Sequence, residues 1–383
     1  VGVAGLVQSG GFGNFSKAYG TAAASLLEAE VVTADGTLTV ANDCQNQDLL
    51  WALRGGGGGT FGVVTRVTLM THPLPGTFGG VNGRIVAKSD AAFQELIERF
   101  LVFYRERLND EHWGEQVRVK KNNSLEISMV FQGLRAAEAK ELWKPLQEFC
   151  DRRPDDFTMK VSTFELPGNR LWDTAFLREN APDAIRRDER ADQPGDRFWW
   201  AGDGGQVSAF WYAYQSRWVP LELFEGARAK SFAKTLFEAS RLWSVAFHFN
   251  KAQAGAAEEA VRRGRETAVN PVVFGAAALI IVAADGHGFP GVPGREPDAE
   301  EGEAAKAGVS AAMKLIRDAT PGSGSYVNET DYFEPDWARS FWGENYPRLL
   351  SIKRKYDPDG LFYCHHCVGS EGWSSDGMCP SAR

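Results

Sequence analysis

Two short stretches of this chain hold residue types that could do chemistry. Five consecutive glycines, Gly55 to Gly59, run directly into Thr60, Phe61, Gly62, Val63 and Val64, and near the C-terminus Cys364, His365, His366 and Cys367 set four metal-ligand types side by side. Glycine has the most backbone freedom to lose, so a run of five marks a place where the chain approaches something closely or takes positive φ. The β-branched segment after it reads as a buried strand. A glycine loop feeding a strand suits a large cofactor, because the backbone can lie flat against it, whereas a flexible linker carries serine or charge and opens no strand. Gly57, Gly59 and Gly62 spell G-x-G-x-x-G, but the dinucleotide motif follows a strand and opens a helix. Here the order is reversed: Asp48 to Arg54 reads as a short helix before the loop, and the strand comes after. No Gly-Lys-Ser/Thr follows, which excludes a P-loop. The Cys/His tetrad is too contracted to wrap one tetrahedral ion, since ligand pairs normally sit on separate elements. Disulfides, with Cys379 as a further partner, are the expectation there, and no metal.

The elements that must position these residues fall into three stretches. Gly2, Gly5, Gly10, Gly11 and Gly13 form an opening glycine-rich loop that Tyr19 and Gly20 close. Leu27 to Thr33 alternates like a strand, Asp35 and Gly36 make a tight hairpin turn, and Thr37 to Val40 returns. The short helix, the glycine run and a strand through Met70 follow, and His72 to Gly76 punctuates a boundary. Beyond it, Ala91 to Leu108 and Ala136 to Arg152 have helical spacing, and Gln116 to Val130 is a hairpin turning at Asn122 and Asn123. Phe198 to Trp218, Ser244 to Phe249 and the apolar Val272 to Ala284 read as strands, with helices at Glu258 to Thr267 and Glu300 to Asp318. One-face-polar strands mixed with helices predict an α+β unit, an antiparallel sheet covered by helices on one side. From Ser323 on, the pattern predicts a strand at Ser325 to Asn328, then two helices ending at Tyr356.

The 383 residues carry a net charge of −8 and no basic stripe, which argues against a nucleic-acid partner. No apolar run reaches the length of a membrane span. The 12 tryptophans suit a broad aromatic-lined pocket. Five cysteines leave one thiol without an internal partner. Of the sequons at Asn14, Asn122 and Asn328, only Asn122 sits in an obvious exposed turn. The chain opens without a methionine or leader, like the middle of a folded domain, so it is expected to be part of something longer.

Several of these segments together resemble the flavin-linked oxidases of the vanillyl-alcohol oxidase superfamily, specifically the berberine-bridge-enzyme-like branch. The resemblance is carried by Val1 to Gly5 with Ser9 to Gly13, Tyr19 and Gly20; by Leu27 to Val32 with Asp35 and Gly36; and by Asp48 to Ala52 with Gly55 to Val64. At the far end it rests on Tyr326, Val327 and Asn328, on Gly343 to Leu349, and on Lys355 to Phe362. These motifs cover roughly a third of the chain, in family order and spacing.

The resemblance implies an FAD-binding domain split in sequence, with a substrate domain inserted. Residues 1–76 would be the second half of the PCMH-type FAD-binding domain, 77–322 the substrate domain, and 323–383 the return. It implies FAD contacts from Val1, Gly2, Val3, Gly5, Leu6, Gly10, Gly11, Gly13, Asn14, Gly20, Leu26, Gly62, Val64, Asn328 and Tyr363. The family's first FAD subdomain has no counterpart here and is expected in cis or as a separate piece, with any covalent flavin anchor upstream of Val1. Val1 falls where the family controls oxygen access, and valine resembles the oxygen-reactive members. Leu6 stands where many plant members carry a histidine near the flavin N1–C2 carbonyl, so another donor must serve there.

In that family a base takes a proton while hydride leaves a C–H bond for flavin N5, and a tyrosine of a Tyr-x-Asn-Tyr stretch often serves. Here Glu329 replaces the second tyrosine, which makes Tyr326 and Glu329 the catalytic candidates, with Tyr332 third. The resemblance thus implies a secreted FAD oxidase acting on an alcohol, sugar or secondary metabolite, with O2 as acceptor and H2O2 as product. A catalytically silent flavin- or ligand-binding homologue is the alternative, and a dehydrogenase with another acceptor a third reading. Substrate identity would be set by loops of the middle domain.

Overall fold

The computed structural model describes residues 2–206, 209–288, 291–374 and 376–380. The opening segment is more regular than the glycine-rich loop expected for it, with short helices α1 (Val3–Gln8) and α2 (Ser16–Tyr19) flanking the glycines. Strands β1 (Leu26–Val32) and β2 (Leu38–Asn42) pair as the expected hairpin, its turn held by the Asp35 carboxylate, which accepts from the Thr33 hydroxyl at 2.7 Å and the Thr37 N–H at 3.0 Å. Helix α3 (Gln47–Leu53) precedes the glycine run and β3 (Val63–Leu69) follows it, pairing antiparallel with β1. Gly62 is forced where β3 begins, because a Cβ there would stand 2.5 Å from Val31 and 2.6 Å from the Val32 carbonyl.

A seven-stranded antiparallel sheet fills the middle of the chain. Its strands are β4 (Thr77–Ala87), β5 (Trp113–Lys120), β6 (Ser124–Gln132), β7 (Phe157–Pro167), β10 (Ala209–Pro220), β11 (Val245–His248) and β12 (Ala276–His287), in the order β10-β12-β11-β5-β6-β4-β7. A small hairpin, β8 (Ile185–Arg187) with β9 (Phe198–Trp200), stands apart from it, so the aromatic run from Phe198 to Trp218 is two strands in different sheets and not one. One face of the large sheet lies under α4 (Asp90–Arg107), α5 (Ala136–Asp151), α7 (Gly226–Leu242) and α9 (Ala299–Ala319). There Val81, Ile127, Val117, Phe247 and Ile280 meet Phe93, Leu96, Phe100, Leu236 and Val309 in the main core. Helix α4 is capped by the Ser89 hydroxyl, which accepts from Ala92 N–H at 3.2 Å.

Alternation puts a different set on the other face. One registered row reads Asn82, Ser128, Gln116, His248, Leu279 and Trp218 across β4, β6, β5, β11, β12 and β10. The row is polar at one end and apolar at the other. The apolar end, Leu279, Ile281 and Trp218, packs against Phe12, Ala23, Val269 and Tyr326. The remaining short helices are α6 (Thr174–Asn180) and α8 (Glu258–Gly264), followed by α10 (Trp337–Trp342) and α11 (Tyr346–Tyr356).

The C-terminal helices return to the first unit. Phe341, Trp342, Leu349 and Ile352 share a core with Leu26, Val31, Leu49, Leu53 and Phe61. Polar contacts fix the same seam: Trp342 Nε1 donates to the Gly55 carbonyl at 2.9 Å, and Lys353 Nζ to the Thr60 carbonyl at 2.7 Å. Both ends of the glycine run are therefore held by residues nearly three hundred positions away. The strand expected at Ser325–Asn328 is instead a tight turn closed by Glu329 N–H to the Tyr326 carbonyl at 2.9 Å, with one isolated bridge between these residues.

Candidate functional site

The glycine loops, the 326–329 turn and the Cys/His coil converge on one cleft of about 370 Å³, lined among others by Ser9, Gly57, Gly58, Asn328, His366 and Cys367. Gly57 N–H donates to the Gln8 carbonyl at 2.8 Å and Gly58 N–H to Ser9 Oγ at 3.4 Å, so the two glycine segments lie side by side. Gly11 is required where it stands: at φ +70° a Cβ would sit 2.6 Å from Ala22 Cβ and 2.7 Å from the Leu6 carbonyl. A Cβ on Gly58 would meet only Gly5, at 3.7 Å, and one on Gly59, Gly2, Gly5 or Gly13 would meet nothing. Bare backbone thus faces open space on two segments at once.

Tyr326 is buried beside this cleft, its ring edge-on to Phe12 at 5.1 Å. Its hydroxyl accepts from Gly11 N–H at 3.2 Å and from Asn328 Nδ2 at 3.1 Å, which engages both lone pairs. Burial, then the negative charge of Glu329, pushes the phenol well above its usual range; these outweigh the two accepted hydrogen bonds. Ser216 anchors the turn to β10, its hydroxyl accepting from Tyr326 N–H at 3.2 Å and its carbonyl from Ser325 Oγ at 2.7 Å.

Glu329 is held by Lys251, whose ammonium donates to both carboxylate oxygens, at 2.5 Å to Oε2. Lys251 follows β11, next to the polar end of the open sheet face. Gln116 Nε2 and His248 Nε2 stand 3.2 Å apart there, and burial, with the charges of Lys251 and Arg118, takes His248 down to about 3. Burial also raises Glu115; Lys251 opposes that rise and Glu329 adds to it. On the other side of the cleft Tyr332, His365 and His366 form a stack, with ring centres 3.9 and 3.8 Å apart. His366, in the left-handed region at φ +58°, is lowered to about 4, by burial first and by His365 second. Cys364 and Cys367 are bonded to each other, while Cys379 is free and exposed. No cluster with metal-ligand geometry occurs among the described residues.

The other residues read from the sequence are placed as follows. Gly2, Val3, Gly5, Gly13 and Asn14 are exposed and Leu6 is half-buried; Gly10 is buried under Tyr326 and Val269. Gly20 packs against Ala260, Leu26 is buried in the core at the start of β1, Gly62 immediately precedes β3, and Val64 lies on it. Tyr363 packs on Trp373. Among the described residues read as FAD contacts, only Asn328 lines the cleft itself. Val1 lies outside the described residues. Lys251 and Glu115 escaped the sequence reading, which had no motif to mark them. A larger, more open hollow of about 720 Å³, lined by Arg186, Arg187, Arg190 and Trp199, belongs to the β8–β9 hairpin and contains neither glycine loop.

Several buried polar oxygens lack a partner: Thr330 Oγ1, which belongs to a cleft-lining residue, with Thr60 Oγ1, Gln8 Oε1 and Asn250 Oδ1 on adjoining segments. Orphaned buried groups are costly, and these beside a bare-backbone apron fit a large group with its own donors and acceptors, as FAD has.

The berberine and berberine-like family profile matches residues 325–369, which hold the 326–329 turn and the Cys/His coil. An uncharacterised FAD-linked oxidoreductase of Arthroderma benhamiae is 29% identical over 98% of this chain and 60% of its own length. The VAO-type flavoprotein oxidase VAO615 of Thermothelomyces thermophilus is likewise 29% identical, over 98% of this chain and 59% of its own. The chain thus spans about three fifths of the curated relatives it matches. Among solved structures, the VAO-type flavoprotein MtVAO615 from Myceliophthora thermophila superposes with a TM-score of 0.75 at 25% identity, covering 100% of this chain and 64% of that one. A carbohydrate oxidase from Microdochium nivale shares the fold, with a TM-score of 0.68 at 21% identity over 97% of this chain and 71% of that one.

Proposed function

We propose that the chain, similar to the berberine-like, FAD-linked flavoproteins of the vanillyl-alcohol oxidase type, acts as an oxidase on a hydroxylated small molecule, sugars included. The observation that carries this reading is the placement of Glu329 and Tyr326 beside a cleft walled by two glycine segments. FAD held there would supply the two-electron acceptor for hydride from a substrate carbon, with O2 as the final acceptor and hydrogen peroxide as the product.

The chain's own residues divide the remaining work. The backbone of Gly57 and Gly58, with Ser9 and Asn328, would hold the cofactor. Tyr326, its lone pairs occupied and its acidity suppressed, keeps its proton and offers an O–H donor to the substrate oxygen. Glu329 is then the proton acceptor, a carboxylate held in one place by Lys251. Residues 1–76 and 323–383 form the cofactor side and 77–322 the substrate side in this reading. Secretion, with a glycan on Asn122 in the exposed β5–β6 turn, belongs to it as well. Relatives that bear oxidase names weigh against a silent homologue.

The test is anaerobic addition of a panel of sugars and alcohols to the flavin-loaded protein, followed by air. Bleaching of the flavin bands by at least one compound, then peroxide on aeration, is expected. A flavin that no compound of the panel bleaches would contradict the proposal.

A further inference from the structure

We propose that Glu115 is a positioning residue of this site: it competes with Glu329 for the ammonium of Lys251, so that the charge on Glu115 decides how firmly Glu329 is held. This rests on the reading of Glu329 as proton acceptor.

The backbone brings the three residues together. Gln116 is registered opposite His248 across β5 and β11. Two residues earlier on that strand, a Cβ on Gly114 would lie 3.3 Å from Asn250 Cβ. Glu115 therefore runs past the 249–251 turn that carries Lys251. It does so with φ +64°, in the left-handed region that a non-glycine residue rarely enters, and within a strand. Strain of that kind persists only where the surroundings impose it.

The charges agree with the placement. Burial favours the protonated form of Glu115, Lys251 the ionised form and Glu329 the protonated form again. Apart from the cation of Arg118, the other titratable groups around the cluster are neutral near pH 7. His248 is held neutral, and the phenols of Tyr214 and Tyr326 are raised by burial and by Glu329. Arg118, on β5 opposite Ala246, is exposed, and its charge reaches His248. With Glu115 protonated, the ammonium is committed to Glu329. With Glu115 ionised, it is drawn both ways and Glu329 is loosened.

The experiment follows the Glu115 carboxyl by ¹³C NMR in glutamate-labelled protein, assigned with Glu115→Gln. The expected result is a midpoint that falls in Glu329→Gln and rises in Lys251→Met, each by about half a pH unit or more, the size of one screened charge a few ångströms away. A midpoint unmoved by both substitutions would overturn the proposal. This titration needs no flavin, so its outcome is independent of whether the oxidase reading stands. In the flavin-loaded protein, Glu115→Gln is expected to flatten the acid limb of the pH profile for flavin reduction, and Glu115→Asp to restore it. Loss of rate with an unchanged limb in Glu115→Gln would show a merely structural role.

Discussion

The backbone N–H of Gly11 donates to the hydroxyl of Tyr326 at 3.2 Å, joining residues 315 positions apart at the edge of the cleft. The bond ties the opening glycine segment to the C-terminal turn and fixes the phenol against Phe12. Tyr326→Phe leaves the Gly11 N–H and the Asn328 amide without their acceptor, and should cost about 1–3 kcal/mol in denaturant unfolding. Because the phenol is raised far above its usual range, Tyr326→Phe should lower the rate of flavin reduction without moving the limbs of its profile between about pH 6 and 9. A limb that disappears in this variant would make Tyr326 the base.

Two glycines separate cofactor binding from folding. Gly58 does not take positive φ, and a side chain there meets only Gly5 before reaching the cleft. Gly58→Val should keep stability within about 0.5 kcal/mol yet block FAD uptake. Gly11→Ala, with its overlaps at Ala22 and Leu6, should instead destabilise by about 1–3 kcal/mol. Thermal unfolding with and without FAD distinguishes the two.

The buried ammonium of Lys353 donates to the carbonyls of Thr60 and Phe362 and to Asp357, at 2.7, 2.6 and 2.5 Å. Burial alone would raise Asp357, but the Lys353 bond and the N–H groups of Phe362 and Leu361 more than offset it and hold it below its ordinary value. Its contribution to stability is therefore present above the unfolded carboxylate value and lost as pH falls through the lower folded one. Lys353→Met strands this buried carboxylate and should cost about 3–5 kcal/mol near neutrality. The loss should shrink once Asp357 is protonated, which unfolding at a series of acid pH values would register.

How much of this was legible in sequence depended on how local the cause was. The helix at Gln47–Leu53, the glycine run and the strand Val63–Leu69 announce themselves through short-range periodicity and composition. Strand β4 does not, because Gly79, Gly80 and Gly83 strip it of β-propensity. Those glycines are explained only by Phe131, Phe164 and the β7 backbone, which leave no room for a Cβ. Helix α7 had helix-forming composition but no capping signal at Gly226. Likewise Glu329 could be singled out from its position after Tyr326. Its partner Lys251 lies 78 residues away and meets it only through the folded sheet, so no spacing rule points to it.

Lys17 is fully buried, bonded to Tyr104 at 2.7 Å and to Asn109 at 2.9 Å, and burial lowers it to about 7 against the opposing charge of Asp110. A depressed amine makes the unfolded chain bind the extra proton between about 7 and 10.5, so stability rises with pH through that window. Lys17→Met removes the penalty of the buried charge. Its stability relative to the parent should be most favourable below about pH 7 and should decline steadily as pH rises above it. A difference independent of pH would mean that Lys17 is not depressed.

The most direct test of the central claim is the visible spectrum of the purified protein before and after addition of FAD, with excess removed by gel filtration. The account expects flavin bands that co-elute with the protein, and their loss in Gly58→Val. A colourless protein that retains no added FAD would contradict it.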